Sequence, residues 1–124
     1  MDIEKITLKI VQLPSTFWRV RDRSIISLLQ EIGYFEIHNV VDKSRILKII
    51  KVHPEYIKDW IQWSEDKRTS EGPYLQRNDD GRGLVGFYPG SNFKVYSDIY
   101  GACAAFIKLE IEGIRVRFQS RNGS

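Results

Sequence analysis

The side chains best suited to chemistry in this chain are Cys103, the two histidines His38 and His53, and the adjacent acids Glu65-Asp66 and Asp79-Asp80. A thiol beside a histidine would give nucleophilic catalysis. Two carboxylates facing one substrate would give general acid–base catalysis. Neither pattern is supported by the spacing. Cys103 lies among alanines on the inward face of a predicted helix, whereas reactive thiolates need an electropositive, partly exposed setting. His53 precedes Pro54 at a helix junction, which suits capping or packing, and His38 falls in a loop with no carboxylate partner placed beside it. Each acid pair is adjacent in sequence, so its two carboxyls point partly apart.

Binding motifs fare no better. Gly81-Arg82-Gly83-Leu84-Val85-Gly86 matches the dinucleotide fingerprint by letter, but that fingerprint must open a helix, and Phe87-Tyr88-Pro89-Gly90 forbids one. Asn78-Asp79-Asp80-Gly81 lacks the downstream glutamate of a calcium loop. No nucleophile elbow, phosphate-binding P-loop or zinc-protease motif is present. One cysteine rules out an internal disulfide, and with two histidines a protein-only zinc site is not expected. The residues therefore predict no catalytic site, no cofactor and no metal.

The elements that would position these residues can be read from pattern and punctuation. Residues 3–11 alternate loosely like a strand, although Ile3, Ile6 and Ile10 also fit a helix. Pro14 ends that element. Asp22 or Ser24 can cap a short helix with Ile25, Leu28, Leu29 and Ile32 inward, and Gly33 supplies a left-handed stop. Asp42 caps a helix that reaches Val52, with Ile46, Ile49, Ile50 and His53 on its inner side. The dipeptide His53-Pro54 breaks it and starts the next. Tyr74–Arg77, Leu84–Tyr88 and Asn92–Tyr96 are β-prone runs around strong turn signals. Ser97 or Asp98 caps a last helix with Ile99, Cys103, Phe106 and Ile107 buried. Residues 114–118 alternate again. The expected architecture is α+β: a helical N-terminal half, a small antiparallel β-meander and a C-terminal helix. One globular domain is expected over residues 1–118, with a flexible tail at 119–124.

Composition agrees with a folded domain: 124 residues, 42% hydrophobic, 28% charged, and a net charge of +3. No apolar run approaches the ~20 residues that span a bilayer. The opening Met1-Asp2-Ile3-Glu4-Lys5 does not read as a secretory signal, so a cytoplasmic location is expected. Positive charge interleaves with negative except at Arg19, Arg21 and Arg23 and again at Arg115, Arg117 and Arg121. Such short clusters read as solvated surface or as a small phosphate-binding stripe.

The densest information sits between Pro54 and Gly72. Tyr56, Trp60 and Trp63 recur at i, i+4, i+7, widened by Ile57 and Ile61. Rings of that size anchor a core or the centre of a protein interface. The run that follows, through Glu65, Asp66, Lys67, Arg68 and on to Glu71, carries both signs of charge. It can cap the helix or meet a partner.

The segment Trp60-Ile61-Gln62-Trp63-Ser64-Glu65-Asp66-Lys67-Arg68-Thr69-Ser70, then Gly72 and Tyr74, resembles a signature of small bacterial proteins that include immunity proteins of contact-dependent growth inhibition and related toxin systems. Val85-Gly86-Phe87-Tyr88-Pro89 and Tyr96-Ser97-Asp98, leading into Ala102–Ile107, fit the same pattern. The likeness covers about residues 42–112 and departs at Pro73, where the pattern carries an aromatic. It names no catalytic residue. What it implies is a cytoplasmic antidote that binds a cognate toxin domain without catalysis, needing neither membrane nor small-molecule substrate. The surface expected to bind is Glu65, Asp66, Lys67, Arg68, Glu71, Asp79 and Asp80. The alternative is a small RNA- or DNA-binding module using Arg19, Arg21 and Arg23.

Overall fold

In the computed structural model, which describes residues 2–67 and 71–122, the chain is α+β. Seven α-helices and one three-stranded antiparallel sheet are present among the described residues. The first is α1 (Ile3–Val11), capped by Asp2, whose carboxylate accepts the Lys5 N–H at 3.1 Å. The strand-like alternation at 3–11 is thus overridden. Thr7, Ile10 and Val11 are the residues that bury, at i, i+3, i+4, and the cap favours the helical period. Pro14 does not end an element but sits in the first turn of α2 (Leu13–Arg19), where its missing N–H has no intrahelical partner to lose.

Ser24 caps α3 (Ile25–Ile32), accepting the Ser27 N–H at 3.0 Å, and Gly33 ends it at φ +99°. That backbone conformation strains any residue with a Cβ. The short α4 (Tyr34–Ile37) follows, then α5 (Lys43–Val52), capped by Asp42. A 3₁₀ turn over Pro54–Tyr56 leads into α6 (Ile57–Asp66). His53 is not part of the inner face: its ring is partly exposed and its Nδ1 lies 3.3 Å from Glu55 Oε2.

Strands β1 (Gly72–Arg77), β2 (Gly83–Tyr88) and β3 (Phe93–Tyr96) form the expected meander in the order β1-β2-β3. The final helix, α7 (Ile99–Asn122), is capped by Asp98, which accepts the Gly101 N–H at 2.9 Å. The alternation at 114–118 is not a strand. Ile107, Ile111 and Ile114 continue the helical stripe, and Val116 faces outward. Nor does a tail begin at 119: α7 runs on through Asn122, with Gln119 accepting from Arg115 at 2.6 Å, and Gly123 and Ser124 lie outside the described residues.

α7 is the axis of the fold, in contact with α3, α5, α6 and all three strands. Its stretch Ala102–Ile107 is buried without interruption, so small residues meet the sheet while Phe106 and Ile107 fill the helical side. A Cβ on Gly83 would fall 2.3 Å from Ala102 Cβ, which is how closely β2 and α7 approach. Trp60 is 1% exposed, packs edge-on against Phe106 and donates its indole N–H to Val11 O at 2.8 Å. Among the described residues no helix is long and apolar enough to cross a membrane.

Candidate functional site

The hydrogen-bond parity of the sheet decides which groups it offers outward. Leu75 donates its N–H to Ser64 Oγ at 2.7 Å, away from β2. In an antiparallel ladder this orients Pro73, Leu75 and Arg77 toward the outer edge of β1, and Tyr74 and Gln76 toward β2. Pro73 loses nothing there, because its absent N–H would point to that same edge. α6 lies along this edge.

Side chains alternate between two faces. Leu75, Val85 and Gly83 point inward to α7. Tyr74, Leu84, Gly86, Tyr88, Phe93 and Val95 occupy the outer face by register. The Tyr74 ring covers Gly86, where a Cβ would fall 2.4 Å from its Oη. Around it Tyr88 is 45% exposed, Phe93 60% and Val95 44%. Phe87, also exposed, projects from the other face at the same end of β2.

Beside this face, a cleft of about 610 Å³ opens between α6, β1 and the end of β2. Ile61, Tyr74 and Tyr88 supply its apolar wall, and Glu65 and Arg77 its charges. Tyr74 and Tyr88 belong to both features, so cleft and sheet face form one continuous aromatic surface.

The acidic residues predicted to bind are placed as follows. Glu65 and Asp66 are exposed on the last turn of α6, Asp66 accepting from Gln62 at 2.8 Å. Glu71 is exposed just before β1. Asp79 and Asp80 are exposed in the β1–β2 turn, where Asp80 accepts the Arg82 N–H at 3.0 Å. Glu71 therefore lies at the Gly72 end of β1 and Asp79 and Asp80 beyond its Arg77 end, whereas Glu65 follows Ser64, which bonds Leu75 at mid-strand. Glu65 is the member that reaches the cleft. Lys67 is turned inward: its ammonium lies 3.0 Å from Glu110, a carboxylate that is 4% exposed and also accepts the Trp63 indole N–H at 2.8 Å. Arg68 lies outside the described residues. Of the basic cluster, Arg19 and Arg21 are exposed, whereas Arg23 is held by Ser27 Oγ and paired with Glu31.

The densest titratable cluster is one the sequence did not suggest. Tyr34 Oη donates to Glu112 Oε2 at 2.5 Å and accepts from Lys108 Nζ at 2.8 Å, while Lys108 also donates to His38 O at 2.7 Å. Arg115 grips Glu112 through two bonds of 2.8 and 3.0 Å. His38 is thus not without a carboxylate: its Nδ1 sits 3.9 Å from Glu112 Oε1. Burial pushes the Tyr34 hydroxyl well above its ordinary range, and its bond to Glu112 adds to that. Burial would raise Glu112, but hydrogen bonds from Arg115 and Tyr34 and the nearby Lys108 charge outweigh it and hold the carboxyl at about 2. Desolvation lowers Lys108. Tyr34 is fully buried and its proton is committed to a carboxylate, so the cluster ties α4 to α7 instead of presenting an acid or base. Its signal was helical spacing, Tyr34/His38 at i, i+4 and Lys108/Glu112/Arg115 at i, i+4, i+7.

Cys103 is fully buried, and desolvation raises its thiol far above the usual range. Among the described residues no group of three or more His, Cys, Asp or Glu side chains is arranged to hold a metal ion. No family model, curated protein or solved structure matches this chain.

Proposed function

We propose that this chain is a non-catalytic protein-binding domain, an immunity protein that occupies a cognate toxin domain in the cytoplasm of the cell that makes both. The observation that carries the reading is the continuous surface formed by the outer sheet face and the α6–β1 cleft. Exposed aromatics are grouped there (Tyr88 and Phe93, with Tyr74 beneath), and Glu65 and Arg77 stand at its margin. Aromatic anchors in the centre with charges at the rim is the composition of a protein–protein interface. Monomeric domains rarely leave such side chains contiguous and open to water.

The chemistry-bearing residues support the non-catalytic part of the reading. The thiol is buried and its ionisation pushed far up, and the tightest cluster is internally satisfied. Charge at the rim then sets association rate and specificity, with Glu65 facing a basic group of the partner.

The test is co-expression with a candidate cognate toxin domain. Growth should be rescued by the wild-type chain and lost with Tyr88→Ala/Phe93→Ala, a variant whose changes lie on the surface. Rescue that survives this double substitution would contradict the assignment of the surface.

A further inference from the structure

The same hydrogen-bond parity that closes one side of the sheet leaves the other open. Tyr74, Gln76 and the residues opposite them exhaust the groups between β1 and β2, so Gly83, Val85 and Phe87 bond toward β3. The Phe87 N–H donation to Asn92 O at 3.3 Å fits that parity. On β3 it is then Lys94 and Tyr96 that face β2, while the N–H and C=O groups of Phe93 and Val95 point away from the sheet. Among the described residues nothing pairs them, and both residues are exposed.

Natural edges of this kind are usually blunted by charge, and the charged side chain within β3 is Lys94. Lys94 and Lys43, the latter from the start of α5, both place their ammonium groups over the Tyr96 ring, 5.0 and 5.8 Å from its centroid. The edge is therefore basic on the face of Lys94 and Tyr96 and apolar on the face of Phe93 and Val95. Two copies of the chain paired edge to edge about a two-fold axis would bring four lysines onto one face, which like-charge repulsion disfavours. An extended segment alternating acidic and apolar residues meets both faces.

We propose that the free edge of β3 takes up such a segment of the partner as a fourth strand, its carboxylates against Lys43 and Lys94 and its apolar side chains against Phe93 and Val95. Main-chain bonds supply affinity and the alternate side chains supply selection. This deepens the protein-binding reading and rests on it for the partner being a protein.

The probe is the capped hexapeptide Glu-Val-Glu-Val-Glu-Val, with Lys-Val-Lys-Val-Lys-Val as its charge-reversed control, titrated into ¹⁵N-labelled full chain. Binding should slow amide hydrogen exchange at Phe93 and Val95 and leave the control unbound. The Lys43→Glu/Lys94→Glu variant should weaken it about tenfold or more. Val95→Pro removes one outward N–H at a position where an edge strand accepts proline, and should abolish the protection. A spectrum retaining the wild-type core shifts establishes that each variant is folded. Absence of binding by the acidic peptide, equal binding of both peptides, or binding without protection at Phe93 and Val95 would each overturn strand addition. If toxin-domain capture is lost with Tyr88→Ala/Phe93→Ala but kept with both edge variants, strand addition fails while the docking face stands. If the acidic peptide protects the edge but no toxin domain is captured, the edge stands and the immunity reading fails.

Discussion

Ser64 and Leu75 make the contact that orients the sheet: the buried Ser64 hydroxyl accepts the Leu75 N–H at 2.7 Å and so seals the outer edge of β1 against α6. The bond marks the parity that every later pairing in the sheet follows. It leaves the β1 edge covered, the β3 edge bare, and the aromatic side chains between them facing out.

Replacing Ser64 with alanine strands that N–H in a buried site. An unsatisfied buried donor costs about 1–3 kcal/mol. Urea unfolding of Ser64→Ala should show a loss in that range with an unchanged denaturant slope. A variant as stable as the wild type would show that water reaches the edge and that the seal is not tight.

Trp60→Ala should be far more damaging, at roughly 3–5 kcal/mol, because it empties the largest fully buried side-chain volume and orphans Val11 O. That loss rivals the whole stability of a small domain. Thermal melting followed by circular dichroism checks it, and a midpoint within a few degrees of wild type would contradict the burial.

Local chemistry makes much of this fold legible in the sequence. Asp42, Ser24 and Gly33 announce helix ends through side-chain acceptors and a left-handed backbone, and Asn78–Gly83 announces a hairpin turn. These signals depend on residues within a few positions of each other. The failures are segments where that locality is ambiguous. Ile6, Leu8 and Ile10 satisfy a strand period as readily as part of a helical one, and Ile114, Val116 and Phe118 do the same. The packed neighbours decide: Phe118 lies 5.4 Å from Phe35 because α7 continues past it. The site was legible only in part, since partners in space carry no sequence signal. Glu110 and Glu112 are two residues apart on α7 and turn to different neighbours, one to Trp63 and Lys67, the other to Tyr34 and Arg115. The outer face was hidden for a similar reason. Tyr88, Phe93 and Val95 read as ordinary strand residues until the register shows them sharing one side.

The Glu112 cluster predicts an acid dependence with a definite sign. Its carboxyl is held at about 2 in the folded chain, below the ordinary unfolded value near 4.5, so the folded state binds fewer protons in that interval. Its stabilisation is complete above the unfolded value and is lost as pH falls toward about 2. Glu112→Gln should lower stability at neutral pH and flatten the decline between those limits. An equally steep acid decline in the variant would assign that dependence to other carboxylates.

Cys103→Ala should leave partner binding unchanged, because the thiol is fully enclosed and held protonated. Native protein should likewise resist alkylation until it is unfolded. Loss of binding in a variant that melts like wild type would reveal a role for the thiol that its burial does not suggest.

The most direct test is calorimetric titration of the proposed partner, a candidate cognate toxin domain, into wild type, Tyr88→Ala/Phe93→Ala and Arg19→Ala/Arg21→Ala/Arg23→Ala, at low and high salt. Tight binding to wild type is expected, with a loss of tenfold or more in the aromatic variant, near-wild-type affinity in the arginine variant, and shallow salt dependence throughout. Binding that ignores the aromatic substitutions, falls with the arginines and collapses steeply with salt would contradict the aromatic docking face and point to a phosphate-binding surface instead.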